Sequence, residues 1–294
     1  MVIILNIVDK IPLDKNIKLY RLIQNLLCPN IVKGPKYSDI KLNDITLRIF
    51  DPNNKSKILI YIHGGGWVSG NLDTHCNICY KLAEKLNRKV ISIGYRLAPE
   101  YPFPAGLNDC YIVTKNIMEN IEKLNIKSKD VIIMGDSAGA NLAMSVSLMG
   151  LHNKTFRVGK IIMIYPTTQT DYSKKSIYKS LFYNDNKGFL TRKYLENWTN
   201  MYLPDEESKD NQYVNLMNAK RLFGLPKTLI ITGTNDPLHD EGIAFVKKLR
   251  RHLVCVRNYD LKNATHGFFS NIIDKKWTDK TIELIKGFIG DKNE

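Results

Sequence analysis

VIIMGDSAGANLA, residues 131–143, sets Ser137 between Gly135 and Gly139 at the junction of two local patterns. Val131 to Met134 form the short apolar run expected of a buried strand, and the alanine-rich stretch from Ala138 to Val146 has the composition of a helix. A serine at such a junction sits on a tight turn with backbone crowded on both sides, and crowding of that kind calls for neighbours without bulk. The Gly-x-Ser-x-Gly spacing is that of a nucleophile elbow, in which the turn lifts the hydroxyl clear of the sheet. An ordinary serine in a glycine-bounded turn would look the same over five residues, so the remainder of the chain has to decide.

Runs with strand character also occur at 57–62, 89–94, 160–164, 227–232 and 253–259, with helix-length segments at 74–87, 107–124, 138–150 and 238–252 between most of them. Strands that alternate with helices predict an α/β protein with a mostly parallel, doubly wound sheet covered on both faces. Residues 38–50, SDIKLNDITLRIF, alternate apolar and polar on either side of Asn43-Asp44 and read as a hairpin adding antiparallel strands at one edge. The last apolar periodicity, DKKWTDKTIELIKGFIG, reads as a helix with Thr278 at its N-cap. Residues 167–225 break the alternation. They are polar, rich in aromatics and without a convincing strand, and a structureless loop of that length is improbable in a compact domain. They read as a helical cap, with the helix-like segment near 1–35 joining it, so that residues 1–294 form a single domain.

Composition narrows the function classes. A chain of 294 residues with 44% hydrophobic residues has ample material for a core. The net charge of +14 is spread along the chain with no basic run and no nucleic-acid motif, so it reads as compositional bias and no nucleic-acid partner is expected. The opening MVIILNIVDK is too short to span a bilayer and lacks the basic start and small-residue cleavage site of a secretory signal; no integral membrane segment is expected. Five cysteines, an odd number, suit a reducing, cytoplasmic setting better than a disulfide framework. Cys76 and Cys79 spell CxxC, but no second ligand pair accompanies them, and they read as helix neighbours one turn apart.

A serine hydroxyl needs a base to take its proton and donors to stabilise an oxyanion. In an open parallel sheet these belong just beyond the C-terminal ends of strands. His63-Gly64-Gly65-Gly66-Trp67 follows the 57–62 run, and its glycines leave backbone N–H groups unobstructed; no Gly-Lys-Ser/Thr ending marks it as a phosphate loop. Asp236 follows the 227–232 run, with Asp240 and Glu241 as fallbacks near a helix start. His266 lies in the loop after the 253–259 run. Each is weak alone. Together, in the order Ser, Asp, His and each at a strand end, they point to a catalytic triad.

The motifs HGGGWVSG (63–70), YRLAPEYPFPA (95–105), GDSAGANLA (135–143), DPLHDEG (236–242) and HGF (266–268) resemble those of the hormone-sensitive-lipase-like esterases of the α/β-hydrolase fold, from about residue 38 onward and most weakly across the cap. The resemblance implies Ser137 as nucleophile, His266 as general base and acid, and Asp236 as the group orienting the imidazole. It implies an oxyanion hole from the N–H groups of Gly65, Gly66 and Ala138, with His63 bracing the loop outside the triad. It also implies a small-molecule ester of short to medium acyl chain as substrate, with neither cofactor nor metal. Two departures stand out: TGTND replaces the acid-aromatic pair often found before the aspartate, and QYVNLM (212–217) lacks a common Ser-Pro, which bears on the cap and acyl pocket. The alternatives are an amidase, deacetylase or acyl transferase on the same triad, or a non-catalytic receptor of the same fold. The gibberellin receptors are such proteins, but they lack the triad histidine that this chain keeps at His266.

Overall fold

The computed structural model describes residues 16–27, 37–51, 57–270 and 275–290. Its centre is an eight-stranded sheet in the order β1-β2-β4-β3-β5-β6-β7-β8. The strands are β1 (Ser38–Leu42), β2 (Ile45–Phe50), β3 (Ile58–Ile62), β4 (Lys89–Gly94), β5 (Val131–Asp136), β6 (Lys160–Ile164), β7 (Lys227–Gly233) and β8 (Val256–Leu261). β1 and β2 form the hairpin expected at Asn43-Asp44, with Leu42 opposite Ile45, and β2 pairs antiparallel with β4. All remaining pairs are parallel. A parallel sheet must be covered on both faces, which is why β3 and β5 are buried along their whole length.

The period of two along a strand sorts the core into two layers. Ile58, Ile60, Ile62, Val131 and Ile133 face one layer, where helices α3 (Ala105–Glu119), α4 (Ala138–His152) and α7 (His239–Arg251) contribute Val113, Leu142 and Phe245. Leu59, Tyr61, Ile132 and Met134 face the other, packed on α2 (Cys76–Leu86) and α8 (Lys275–Gly290) through Leu82, Ile285 and Phe288. Cys76 and Cys79 sit on the buried face of α2 and are not joined in a disulfide.

Three boundaries differ from the sequence expectation. The helix expected over 107–124 ends at Glu119, where the Asn120 side-chain amide donates to the Asn116 carbonyl and competes with the backbone. β8 begins at Val256, not 253, because the chain is still closing α7 there: His252 N–H donates to the Lys248 and Leu249 carbonyls and Leu253 has φ of 60°. Thr278 lies inside α8 and not at its start; its hydroxyl donates to the Phe269 carbonyl at 2.9 Å, tying the helix to the end of the loop after β8.

Between β6 and β7 the chain carries the short helix α5 (Ser180–Tyr183) and the longer α6 (Arg192–Tyr202), with 3₁₀ turns at Glu207–Asp210 and Leu216–Asn218. Thr191 caps α6 by accepting from the Tyr194 N–H. Of the segment near 1–35, the helix α1 (Ile17–Leu27) is described and the rest lies outside the described residues. Arg21 anchors α1 to the loop after β3 and the segment after β4, donating to the carbonyls of Val68 and Ala98, both at 2.7 Å, and pairing with Glu100. Among the described residues, no helix is long and apolar enough to cross a membrane.

Candidate active site

The turn at Ser137 answers for both of its glycines. Ser137 has φ 53° and ψ −123°, a conformation that side-chain-bearing residues rarely adopt, at the point where β5 ends and α4 begins. A Cβ on Gly135 would lie 2.2 Å from the Gly139 carbonyl oxygen, and one on Gly139 would lie 2.1 Å from the Ile62 carbonyl oxygen. The elbow is thus pressed against β3 and against its own helix, and only hydrogen atoms fit. The Ser137 N–H donates to the Ile164 carbonyl of β6 at 2.9 Å, which fixes the strained residue from a third direction.

His266 and Asp236 come to this point from two neighbouring strand ends. The His266 Nε2 lies 2.9 Å from Ser137 Oγ, and its Nδ1 lies 2.7 Å from Asp236 Oδ2. A carboxylate only accepts, so Nδ1 carries the proton and Nε2 keeps its lone pair toward the serine hydroxyl. Asp236 is itself held: its Oδ1 accepts from the Leu238 N–H at 2.8 Å, and its carbonyl accepts from the Asn184 side chain at 3.0 Å. The three side chains are buried, with Ser137 the most open at 8%.

The fallback acids are engaged elsewhere. Asp240 accepts from the Ser180 N–H at 2.8 Å and faces its neighbour His239. Glu241 accepts from the Thr168 N–H at 2.7 Å, the Gln169 amide at 3.0 Å and the Tyr172 hydroxyl at 3.3 Å; burial pushes it up to about 8 against those bonds.

The glycine loop runs off the end of β3. Gly65 and Gly66 have φ of 121° and 60°, and the Gly65 carbonyl accepts from the N–H groups of Val68 and Ser69, which closes the loop on itself. The N–H groups of Gly65, Gly66 and Ala138 donate to no acceptor among the described residues, although Gly66 and Ala138 are buried. Buried N–H groups are nearly always paired, so the unpaired N–H groups of Gly66 and Ala138 stand out in a buried region. His63 stays behind the loop: its Nδ1 lies 2.9 Å from the Gly64 carbonyl oxygen, its ring stacks on Tyr95 at 4.3 Å, and its own carbonyl accepts from the Tyr95 hydroxyl. Burial, aided by the neighbouring His75, pulls its imidazole down to about 3, so it remains neutral.

Three side chains near the site, Tyr165, Asn184 and Asp136, carry no signal in the sequence, while a fourth, Phe189, is one of the aromatics expected in the cap. Tyr165, after β6, lays its ring 4.6 Å from that of His266. Phe189 approaches the same imidazole edge-on at 5.8 Å from the other chain segment and is 42% exposed. Asn184 braces the acid loop as described. Asp136, inside the elbow motif itself, is fully enclosed; burial would raise its pKa, but His75 and the hydrogen bonds from Tyr61 and Gly64 outweigh that and hold it at about 2. Asp136 stands next to Ser137 in the chain; the others meet the site only through long-range packing.

The cap aromatics divide. Trp198 lies against the glycine loop, where a Cβ on Gly66 would meet its ring at 2.4 Å, and it packs with Tyr194 at 5.4 Å and Tyr20 of α1 at 6.0 Å. Tyr202 stacks on Trp67 at 4.6 Å. Phe182 is 42% exposed. Among the described residues, no group of three or more His, Cys, Asp or Glu is placed to hold a metal ion.

With this geometry in view, the likeness to known proteins is consistent along the chain. Residues 59–270 match the family described as alpha/beta hydrolase fold. The chain is 30% identical over 233 residues to the carboxylesterase NlhH of Mycobacterium tuberculosis, covering 77% of this chain and 72% of that one. It is 28% identical over 259 residues to an arylesterase of Saccharolobus solfataricus, covering 85% and 83%. Among solved structures, a hyperthermophilic esterase from the archaeon Pyrobaculum calidifontis superposes with a TM-score of 0.86 at 26% identity, covering 98% of this chain and 96% of that one.

Proposed function

The chain belongs to the alpha/beta hydrolase fold family, among its hormone-sensitive-lipase-like esterases, and from that premise we propose that it hydrolyses small carboxylic esters through Ser137, His266 and Asp236. One observation carries the assignment of roles: the unbroken file of hydrogen bonds from Asp236 through His266 to Ser137, at 2.7 and 2.9 Å. His266 takes the hydroxyl proton as Ser137 Oγ attacks the ester carbonyl carbon. The N–H groups of Gly65, Gly66 and Ala138 receive the charge that develops on the carbonyl oxygen. Asp236 holds the imidazole in its reactive tautomer and steadies the imidazolium. Collapse of the tetrahedral species breaks the bond to the alcohol oxygen, which leaves with the proton from His266. Water, activated by the same imidazole, then releases the acid and restores the serine.

Segments near 1–35 and 167–225 serve as a cap on a single hydrolase domain, with short to medium acyl chains as the acyl part of the substrate. The odd cysteine count supports a cytoplasmic setting. An amidase, deacetylase or acyl transferase would use the same triad, but no feature of the site favours these over an esterase.

A fluorophosphonate probe tests the nucleophile. It is expected to label Ser137 and abolish hydrolysis of p-nitrophenyl esters, while Ser137→Ala stays folded, takes no label and loses activity by on the order of 10⁶ in kcat. Label on another residue, or retained activity in Ser137→Ala, overturns the assignment.

A further inference from the structure

Asp136 is the residue before the nucleophile, and its side chain turns down beneath the site. Its Oδ1 accepts from the Tyr61 hydroxyl at 2.7 Å and from the Gly64 N–H at 2.9 Å. Its Oδ2 accepts from the Tyr165 hydroxyl at 3.3 Å. His75 Nε2 stands 3.6 Å from Oδ1. One carboxylate therefore touches the first glycine of the oxyanion loop and the ring that lies against His266, and by its own peptide bond it is joined to Ser137. The contact with Gly64 is close: a Cβ there would lie 2.6 Å from Asp136 Oδ2 and 2.7 Å from the Asp136 carbonyl oxygen.

We propose that Asp136 is a positioning residue that sets the height of the oxyanion loop above Ser137, through its hydrogen bond to the Gly64 N–H. The inference rests on the esterase reading above. The path from the nucleophile to the free N–H of Gly65 runs through a single hydrogen bond, so a change in that bond moves the donors relative to the carbon under attack. Displacements of about 1 Å from remote substitutions can cost about 10²-fold in rate. Charge alone would argue the other way. A carboxylate this near a developing oxyanion repels it, and His75 together with the three donors spreads that charge. If repulsion were the main effect, neutralising Asp136 would speed the reaction; if positioning is, neutralisation slows it.

Two esters differing in one atom separate these roles. p-Nitrophenyl acetate places oxygen in the oxyanion hole, and p-nitrophenyl thionoacetate places sulfur there, which is larger and a weaker acceptor. In Asp136→Asn, kcat for the acetate is expected to fall by about 10- to 100-fold, with KM within about twofold of wild type and a narrowed preference for oxygen over sulfur. A gain in kcat, an unchanged kcat, or an equal loss for both esters overturns the proposal. If Asp136→Asn does not fold, Tyr61→Phe decides the matter. It removes the shortest bond to the carboxylate, and it too is expected to narrow the oxygen preference. An unchanged preference in Tyr61→Phe overturns the proposal. A wild-type chain that hydrolysed neither ester would overturn the esterase reading itself, and this positioning role with it.

Discussion

Asp236 and Asp240 stand four residues apart in one loop-to-helix junction, and sequence spacing alone offers either as partner to the histidine. The structure separates them by their bonds: Asp236 meets His266 Nδ1, whereas Asp240 accepts from Ser180. Asp236→Asn is therefore expected to lower kcat by about 10⁴, because an amide in that place favours the wrong imidazole tautomer. Asp240→Asn should leave kcat within a few-fold of wild type in the same steady-state assay, and the reverse ranking would reassign the third role. Ser137, Asp236, His266 and the glycine loop were legible in the sequence because each obeys a local rule: a strand end, a tight turn or a run without side chains. Asp136 belongs to the same motif, yet no local rule marks it. What distinguishes it is its contact with Tyr61 and Gly64, more than seventy residues earlier, and no local pattern records such a contact.

At the scale of elements, the segment between β6 and β7 does two different things. α6 carries Trp198 onto Gly66, while the turn before it carries Phe189 to the edge of His266. In the mechanism proposed above the imidazole hands its proton to the departing alcohol, which places that alcohol on the His266 side of the tetrahedral carbon, where Phe189 is half-exposed. Phe189→Ala is accordingly expected to lower kcat/KM for phenyl acetate relative to ethyl acetate by about tenfold, within the range that apolar pocket contacts supply. Phe182→Ala, at an exposed ring that makes no ring contact with His266 among the described residues, should leave that ratio unchanged. The existence of helices in this region was readable from its length and aromatic content. Which aromatic reaches the chemistry was not, because Tyr20 and Trp198, like Phe189 and His266, meet across chain segments that sequence periodicity treats as unrelated. The helix end five residues early at Glu119 and the strand start three residues late at Val256 have a simpler cause, since side-chain amides and left-handed turns trim elements in ways that apolar periodicity does not mark.

For the molecule as a whole, the buried polar layer beneath the site sets a limit on acid tolerance. His63 takes up its proton at about pH 3 in the fold but near its ordinary 6.5 in the unfolded chain, so between those values the unfolded chain holds more protons and stability falls as pH falls. Asp136, at about 2 in the fold against an ordinary 3.8, adds to this: its contribution is present above 3.8 and is lost as pH drops through 2. Glu241, raised to about 8 in the fold against an ordinary 4.5, acts in the opposite sense between those values, so thermal melts should show little net change from pH 6.5 to 4.5 and a decline that sets in below pH 4.5 and steepens below pH 4. A melting temperature that held steady or rose from pH 4.5 to 3 would contradict the buried neutral state of His63. The alternation of strands and helices made the sheet readable from the outset, since a parallel sheet demands apolar runs at every strand. The strand order has a consequence for how the protein fails when heated. Ser137 springs from the interior strand β5, whereas the histidine loop hangs from β8, which forms the border of the sheet and is only partly covered. Border strands open at lower cost than interior ones. Heat should thus silence the protein before it melts it: residual hydrolysis declines several degrees ahead of the cooperative loss of circular dichroism, and cooling from that interval restores full turnover.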